Sequence, residues 1–226
     1  MSNNKTSSNK GLVAIFDMDN TLIDSGRKLE SDVVNAMSRL GVEISSDEAR
    51  TQDWYGLAAK YGVSKEQFDK SFKQRKSWTQ SLREGEVSIF PETYETLDRL
   101  LTNGVRLGLI TRSDPKYTRE KMDHFNFDKY FGDRVAITPI SEKNKNREAL
   151  ELIKQLSPQT LSRAYFIGDR LEDVAVTIPV EREVGVKSDG LYVSRSGLDI
   201  PQEARDYRVI RSLRDVPRII GEENGI

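Results

Sequence analysis

The amino-acid sequence predicts an α/β fold: a doubly wound, mainly parallel, Rossmann-like sheet with a small helical cap domain inserted. Three observations predict it. The run Leu12–Phe16 is short and continuously apolar, as a parallel strand buried on both faces must be. From residue 89 onward, strand-like and helix-like stretches alternate, the pattern that builds a parallel sheet through crossover helices. Between them, residues 26–88 carry helical periods and no strand pattern. The expected organisation is a disordered polar tail over 1–10, an α/β core made of 11–25 and 89–226, and a helical cap over 26–88. The cap should hinge at its two crossings, near Asp24–Gly26 and Val87–Pro91.

Each element follows from local chemistry. Leu29, Val33, Met37 and Leu40 recur on one helix face, which Gly41 ends. Ser45 with Glu48, and Ser64 with Gln67, have the spacing of capping boxes and open two further helices. Trp54, Tyr55, Phe68, Phe72 and Trp78 read mainly as the small core of this insert. Pro91 opens a helix with Tyr94, Leu97 and Leu100 or Leu101 inward, closed by Gly104. "VRLGLIT" is the next strand, and Asp114 before Pro115 is an N-cap with proline in the first helical position. Met122 and Phe125 face inward from that helix. "RVAIT" is a short strand, Ala149, Leu150, Ile153 and Leu156 mark another amphipathic helix, and "AYFIGD" is a strand. Pro179 cuts its helix short, "LYVS" and "YRVIRSL" read as edge strands, and "SLRDVPRII" as a final short helix.

Composition narrows the function. Charged residues make up 31% of the chain, above the usual value of about 25%. Lysine plus arginine (35) nearly cancels aspartate plus glutamate (36), so no net field favours nucleic acid or an anionic membrane. With no cysteine, disulfides, thiolate zinc sites, iron–sulfur clusters and cysteine nucleophiles are excluded. No apolar run approaches the ~18 residues of a membrane span, and "MSNNKTSSNK" lacks an apolar signal-peptide core. The expectation is a cytoplasmic protein whose partner is a small molecule, neither nucleic acid nor membrane. The single histidine, His124, reads as a surface side chain, and no GxxxxGK, GxSxG or HExxH pattern occurs. Chemistry should therefore rest on carboxylates, hydroxyls and lysines.

In doubly wound sheets, ligands gather beyond the carboxyl ends of the strands. The first strand ends in Asp17 and Asp19, the second in Thr111, Arg112 and Ser113, and "AYFIGD" in Asp169, with Asp173 four residues on. A loop before a helix carries Lys143 and Lys145. A carboxylate at Asp17 can attack phosphorus and split a hard hydrolysis into two easier steps. Two anions meeting there need a cation, and Mg2+ suits oxygen-only ligands such as Asp17 and Asp169. Asp19 can protonate a leaving oxygen and then activate water. A hydroxyl at Thr111 and one ammonium can hold phosphoryl oxygens as charge develops. Bland readings stand beside these: Asp169 caps a helix, Arg112 salt-bridges locally instead of steering an anion, and loop lysines do nothing specific. Lys145 is favoured over Lys143 because it directly precedes the helix at an expected Asn146 N-cap.

"DMDNTLID", "LGLITRSD", the lysine-bearing loop and "FIGDRLEDV" resemble, in order, the four motifs of the haloacid dehalogenase-like hydrolase superfamily. "TLIDS", "FPETYETLDRLLTNGVRLGLITRSD" and the helical insert are similar to its phosphoglycolate-phosphatase-like branch. The resemblance covers residues 11–176. It implies Asp17 as nucleophile and Asp19 as acid/base, with the Asp19 backbone carbonyl also on the metal. It further implies Thr111 as the phosphate-binding hydroxyl, Asp169 as a metal ligand, and Asp173 as a partner that supports the ligands from behind or reaches the metal through water. The family's dehalogenases lack the second aspartate of the first motif, so Asp19 points to phosphate esters. Two departures stand out. "EKNKNREAL" lacks the usual lysine–proline, and the chain after Asp173 is not expected to continue through the usual helix into a glycine-bearing turn and strand. The implied activity is magnesium-dependent hydrolysis of small phosphorylated metabolites through an aspartyl-phosphate, with phosphoglycolate the nearest named substrate. Alternatives are a phosphomutase of the β-phosphoglucomutase type and a non-catalytic phosphate-ester-binding regulator. The motifs say nothing of oligomeric state.

Overall fold

In a computed structural model, which describes residues 11–50, 53–139, 142, 144–156, 160–195 and 200–225, six parallel strands form one sheet. They are β1 (Leu12–Phe16), β4 (Arg106–Arg112), β5 (Val135–Thr138), β6 (Arg163–Gly168), β7 (Lys187–Val193) and β8 (Arg208–Ile210). Two short strands, β2 (Ile23–Asp24) and β3 (Ser88–Ile89), pair separately. The order β5-β4-β1-β6-β7-β8 is that of a doubly wound sheet. The chain winds outward from β1 through β4 to β5, then returns to the other side of β1 through β6. The strand order thus reverses at β1, and the crevice beyond its carboxyl end is where such sheets bind ligands.

The continuous apolar run is explained by its place: every residue of β1 is buried. Val13 and Ile15 pack with Ile110, Ala164 and Phe166 of the neighbouring strands and with Ala149, Leu152 and Ile153 of the helix Asn146–Gln155. The Asp114 side chain accepts the Lys116 amide, capping the helix Pro115–His124, and Met122 and Phe125 are buried from it. His124 is exposed at its end.

The region after Asp173 corrects the sequence reading. Pro179 does not cut a helix short. It lies in the first turn of the helix Thr177–Val184, where an amide has no intrahelical partner to lose. Gly185 then ends that helix at φ 72°, a left-handed conformation that glycine adopts without strain. The chain passes into β7, so the glycine-bearing turn and strand are present after all. Nor is β7 an edge strand, since it lies between β6 and β8. Its polar start, Lys187–Asp189, disguises it. Asp189 is taken up by Arg163, and at Gly190 an added Cβ would meet Val174 at 2.8 Å and Tyr207 at 2.6 Å.

The chain divides into two compact units, Met1–Ile23 with Ile89–Ile226, and Asp24–Ser88. The second unit contains the helices Gly26–Ser38, Ser46–Ala49, Trp54–Lys60, Lys65–Phe72 and Trp78–Arg83. Both capping boxes form, Ser45 with Glu48 and Ser64 with Gln67. Val33, Ala36, Met37, Ala49, Ala58 and Phe68 make its core, with Trp54 and Phe72 packed against it. Trp78 is buried, whereas Tyr55 is exposed. The tail expected over 1–10 lies outside the described residues. No helix among the described residues is long and apolar enough to cross a membrane.

Candidate functional site

Asp17 follows β1 directly, and its amide donates to the Ile167 carbonyl at 2.8 Å, so the sheet register sets its backbone. The chain then turns sharply. The Met18 carbonyl accepts from the amides of Leu22 (2.9 Å) and Ile23 (3.1 Å), and Asn20 takes φ 59°. Asparagine is one of the few L-residues that visit this left-handed region at modest cost.

The helix starts at Asn146, so Lys145 itself occupies the N-cap position rather than preceding a capping Asn146. The Asn144 side chain accepts the Asn146 amide at 3.2 Å instead. The Lys145 Nζ donates to Asp17 Oδ1 at 2.5 Å and to the Ile110 carbonyl at 3.1 Å, and ion-pairs with Asp173 Oδ1 at 2.7 Å. The Lys145 charge thus lies against three oxygens. The other oxygen of Asp173 accepts the Arg170 amide at 2.9 Å. Gly168 makes room for this carboxylate, because a Cβ there would lie 2.3 Å from Asp173.

Carboxylate oxygens of Asp17, Asp169 and Asp173 all lie within 4.8 Å of one another. Burial, aided by the charge of Asp173, raises Asp17 to about 7 against the pull of Lys145. Burial, then Asp17 and Asp173, raise Asp169 well above the usual carboxylate range. Burial opposes the charge on Lys145 too, but Asp17 and Asp173 outweigh it and push its ammonium up. Three carboxylates outnumber the Lys145 ammonium and the Arg170 guanidinium that also acts on Asp169, so negative charge is left over when all are ionised. A divalent cation with a preference for oxygen supplies what is missing. The donor set therefore fits a hard divalent metal.

The remaining expected residues are placed as follows. Thr111 is buried near the carboxyl end of β4, the strand beside β1. Arg112 pairs with Glu172 at 2.9 Å and donates to the Glu142 carbonyl at 3.2 Å, the local bridging held open above. Ser113 is half-buried. Lys143 lies outside the described residues. One residue was missed by sequence reasoning. Lys121, 1% exposed, donates to both oxygens of Asp19 at 2.8 and 2.7 Å. Its signal was its position. Thr118, Lys121, Met122 and Phe125 form one buried helical stripe, and a lysine on such a stripe must find a partner.

Comparison with known proteins bears on this arrangement. The family model of haloacid dehalogenase-like hydrolases matches residues 14–178. Phosphoglycolate phosphatase 1 of Pseudomonas aeruginosa is 24% identical over 221 residues, spanning 90% of this chain and 78% of that protein. The phosphoglycolate phosphatase of Vibrio parahaemolyticus is 25% identical over 221 residues, spanning 91% and 94%. Among solved structures, a HAD family hydrolase from Deinococcus radiodurans, crystallised with phosphate and sodium, aligns with a TM-score of 0.68 at 18% identity. That alignment covers 96% of this chain and 97% of that one. At such identity the likeness is one of fold.

Proposed function

The chain belongs to the haloacid dehalogenase-like hydrolase family, and we infer that it works as a phosphoric monoester hydrolase, releasing phosphate from small metabolites with magnesium bound. The observation that carries this reading is the meeting of Asp17, Asp169 and Asp173 with a single ammonium at the sheet's reversal point. Such a cluster is costly to a fold unless a cation and an anionic ligand use it.

Each residue takes a role. An oxygen of Asp17 attacks phosphorus, the ester's P–O bond breaks, and Asp19 delivers a proton to the departing alkoxide. The phosphoryl group is then held on Asp17. Asp19 removes a proton from water, which attacks phosphorus and frees phosphate and the Asp17 carboxylate. Lys145 and the Thr111 hydroxyl hold the phosphoryl oxygens while charge develops. Magnesium, when bound, supplies the positive charge that lets a phosphate ester approach a carboxylate. Asp17 and Asp169 would hold it through their carboxylates and Asp19 through its backbone carbonyl, with Asp173 behind them. The insert 26–88 would act as a mobile cap, with hinges near Asp24–Gly26 and Val87–Pro91.

The named relatives are phosphoglycolate phosphatases, which makes phosphoglycolate the first substrate to try. The test is a panel of phosphorylated metabolites assayed for phosphate release with and without magnesium. Release that needs magnesium supports the reading. Isomerised sugar phosphate without release would replace it with a phosphomutase, and tight ester binding without turnover with a regulator.

A further inference from the structure

The Lys121–Asp19 contact has no part in the chemistry just described, and it joins residues 102 apart in sequence. An ammonium with 1% of its side chain exposed is expensive to bury unless it is paired. Its carboxylate could have come from a neighbouring turn of its own helix, as ordinary i, i+4 pairs do. Instead it comes from the loop after β1, two residues from Asp17. Both oxygens of Asp19 are engaged, at 2.8 and 2.7 Å, while 23% of the Asp19 side chain stays exposed. A carboxylate held by both oxygens is fixed in rotation.

We propose that Lys121 is a positioning residue for Asp19: it fixes the rotamer from which Asp19 passes protons to the leaving oxygen and takes them from water. This rests on the acid/base reading of Asp19. The ammonium gains no covalent bond and gives up no proton. It removes the rotational freedom that Asp19, on a tight loop, would otherwise have to lose in each cycle.

The test uses the full chain with magnesium and two esters of different leaving group. Phosphoglycolate expels an alkoxide and needs a proton as its P–O bond breaks, whereas p-nitrophenyl phosphate expels a stable phenolate and needs little help. Glycerol 3-phosphate replaces phosphoglycolate if the latter is not turned over, and turnover of no ester overturns both readings. Because kcat/KM reports steps up to leaving-group departure, Lys121→Met should lower it on the alkyl ester by about thirtyfold, part of the ~10²–10⁴ that positioned proton transfer contributes. On p-nitrophenyl phosphate the loss should stay within about threefold, the step there needing little proton transfer. Lys121→Arg, which also meets a carboxylate with two donors, should recover much of the loss. In an Asp19→Asn background, Lys121→Met should change nothing further.

An equal loss on both esters, additivity with Asp19→Asn, or alkyl-ester activity within threefold of wild type overturns the proposal. If Lys121→Met does not fold, Lys121→Gln is judged by the same ratio between esters. A merely structural lysine would lower the melting temperature without separating the two leaving groups. Should Asp19→Asn itself leave alkyl-ester turnover intact, the acid/base reading falls and takes this one with it. An inactive Asp19→Asn beside normal Lys121 variants removes only Lys121.

Discussion

Two buried lysines, one in each unit, meet carboxylates at the same 2.5 Å, yet their surroundings differ in kind. In the helical unit, Lys28 pairs with Asp32 one turn along its own helix, donates to the Lys76 carbonyl at 3.3 Å, and lies over the Trp78 ring at 4.8 Å. Arg75 adds a second cation 4.0 Å from Asp32. In the core unit, Lys145 reaches across 128 residues to Asp17 and meets Asp173 as well, with Asp169 close by. Burial raises both Asp32 and Asp17. Charge separates them: around Asp32 the cations Lys28 and Arg75 match Asp32 and Glu86, whereas around Asp17 the three aspartates outnumber Lys145 and Arg170. A pair that serves the fold closes its own charge, and a site leaves charge open for a ligand.

The largest test of that contrast is Asp17→Asn. An amide cannot form the acyl-phosphate, so turnover should fall by at least about a thousandfold, or ~4 kcal/mol in barrier terms. The melting temperature should hold, because removing one of three crowded carboxylates relieves repulsion. Lys145→Ala comes next. It should cut turnover by about a hundredfold or more, the ~3 kcal/mol scale of one electrostatic stabiliser. Asp32→Asn should do the reverse of Asp17→Asn. Stranding Lys28 should cost about 3–5 kcal/mol in urea unfolding, with turnover per folded molecule near wild type. If Asp32→Asn spares stability while Asp17→Asn destroys it, the contrast is wrong.

Smaller effects sharpen the picture. Magnesium at a hundredfold excess over its dissociation constant should add about 2.7 kcal/mol of stability, lost in Asp169→Asn. Its affinity should tighten as pH rises through about 7, since the proton that burial keeps on Asp17 must leave before metal binds. Calorimetry across that range checks the sign. Lys143→Ala should change turnover by less than about threefold.

Legibility followed the range of the forces. Capping boxes at Ser45 and Ser64, the Asp114–Pro115 helix start and the apolar β1 rest on neighbours a few residues apart, and all were readable. The strand ends followed from the fold class, since doubly wound order dictates where Asp17, Thr111 and Asp169 fall. β7 was misjudged because its polar start is satisfied by Arg163, a partner that only the sheet supplies. Pro179 was misjudged because one proline opens or closes a helix according to where the preceding turn stops. Lys121 was passed over because a lysine beside Met122 looks solvated until Asp19, 102 residues away, is brought to it.

The proposed hydrolysis passes through a phosphoryl group carried by Asp17, and one measurement detects that group directly. The Asp19→Asn variant, in which water activation is impaired, is mixed with magnesium and p-nitrophenyl phosphate, whose phenolate departs without a proton, quenched in acid and digested with trypsin. Mass spectrometry of the peptide Gly11–Arg27 should then find a phosphoryl adduct on Asp17, absent when Asp17 is also replaced by Asn. Phosphate release by the wild-type protein with no adduct on this peptide, and with Asp17→Asn still active, would contradict it.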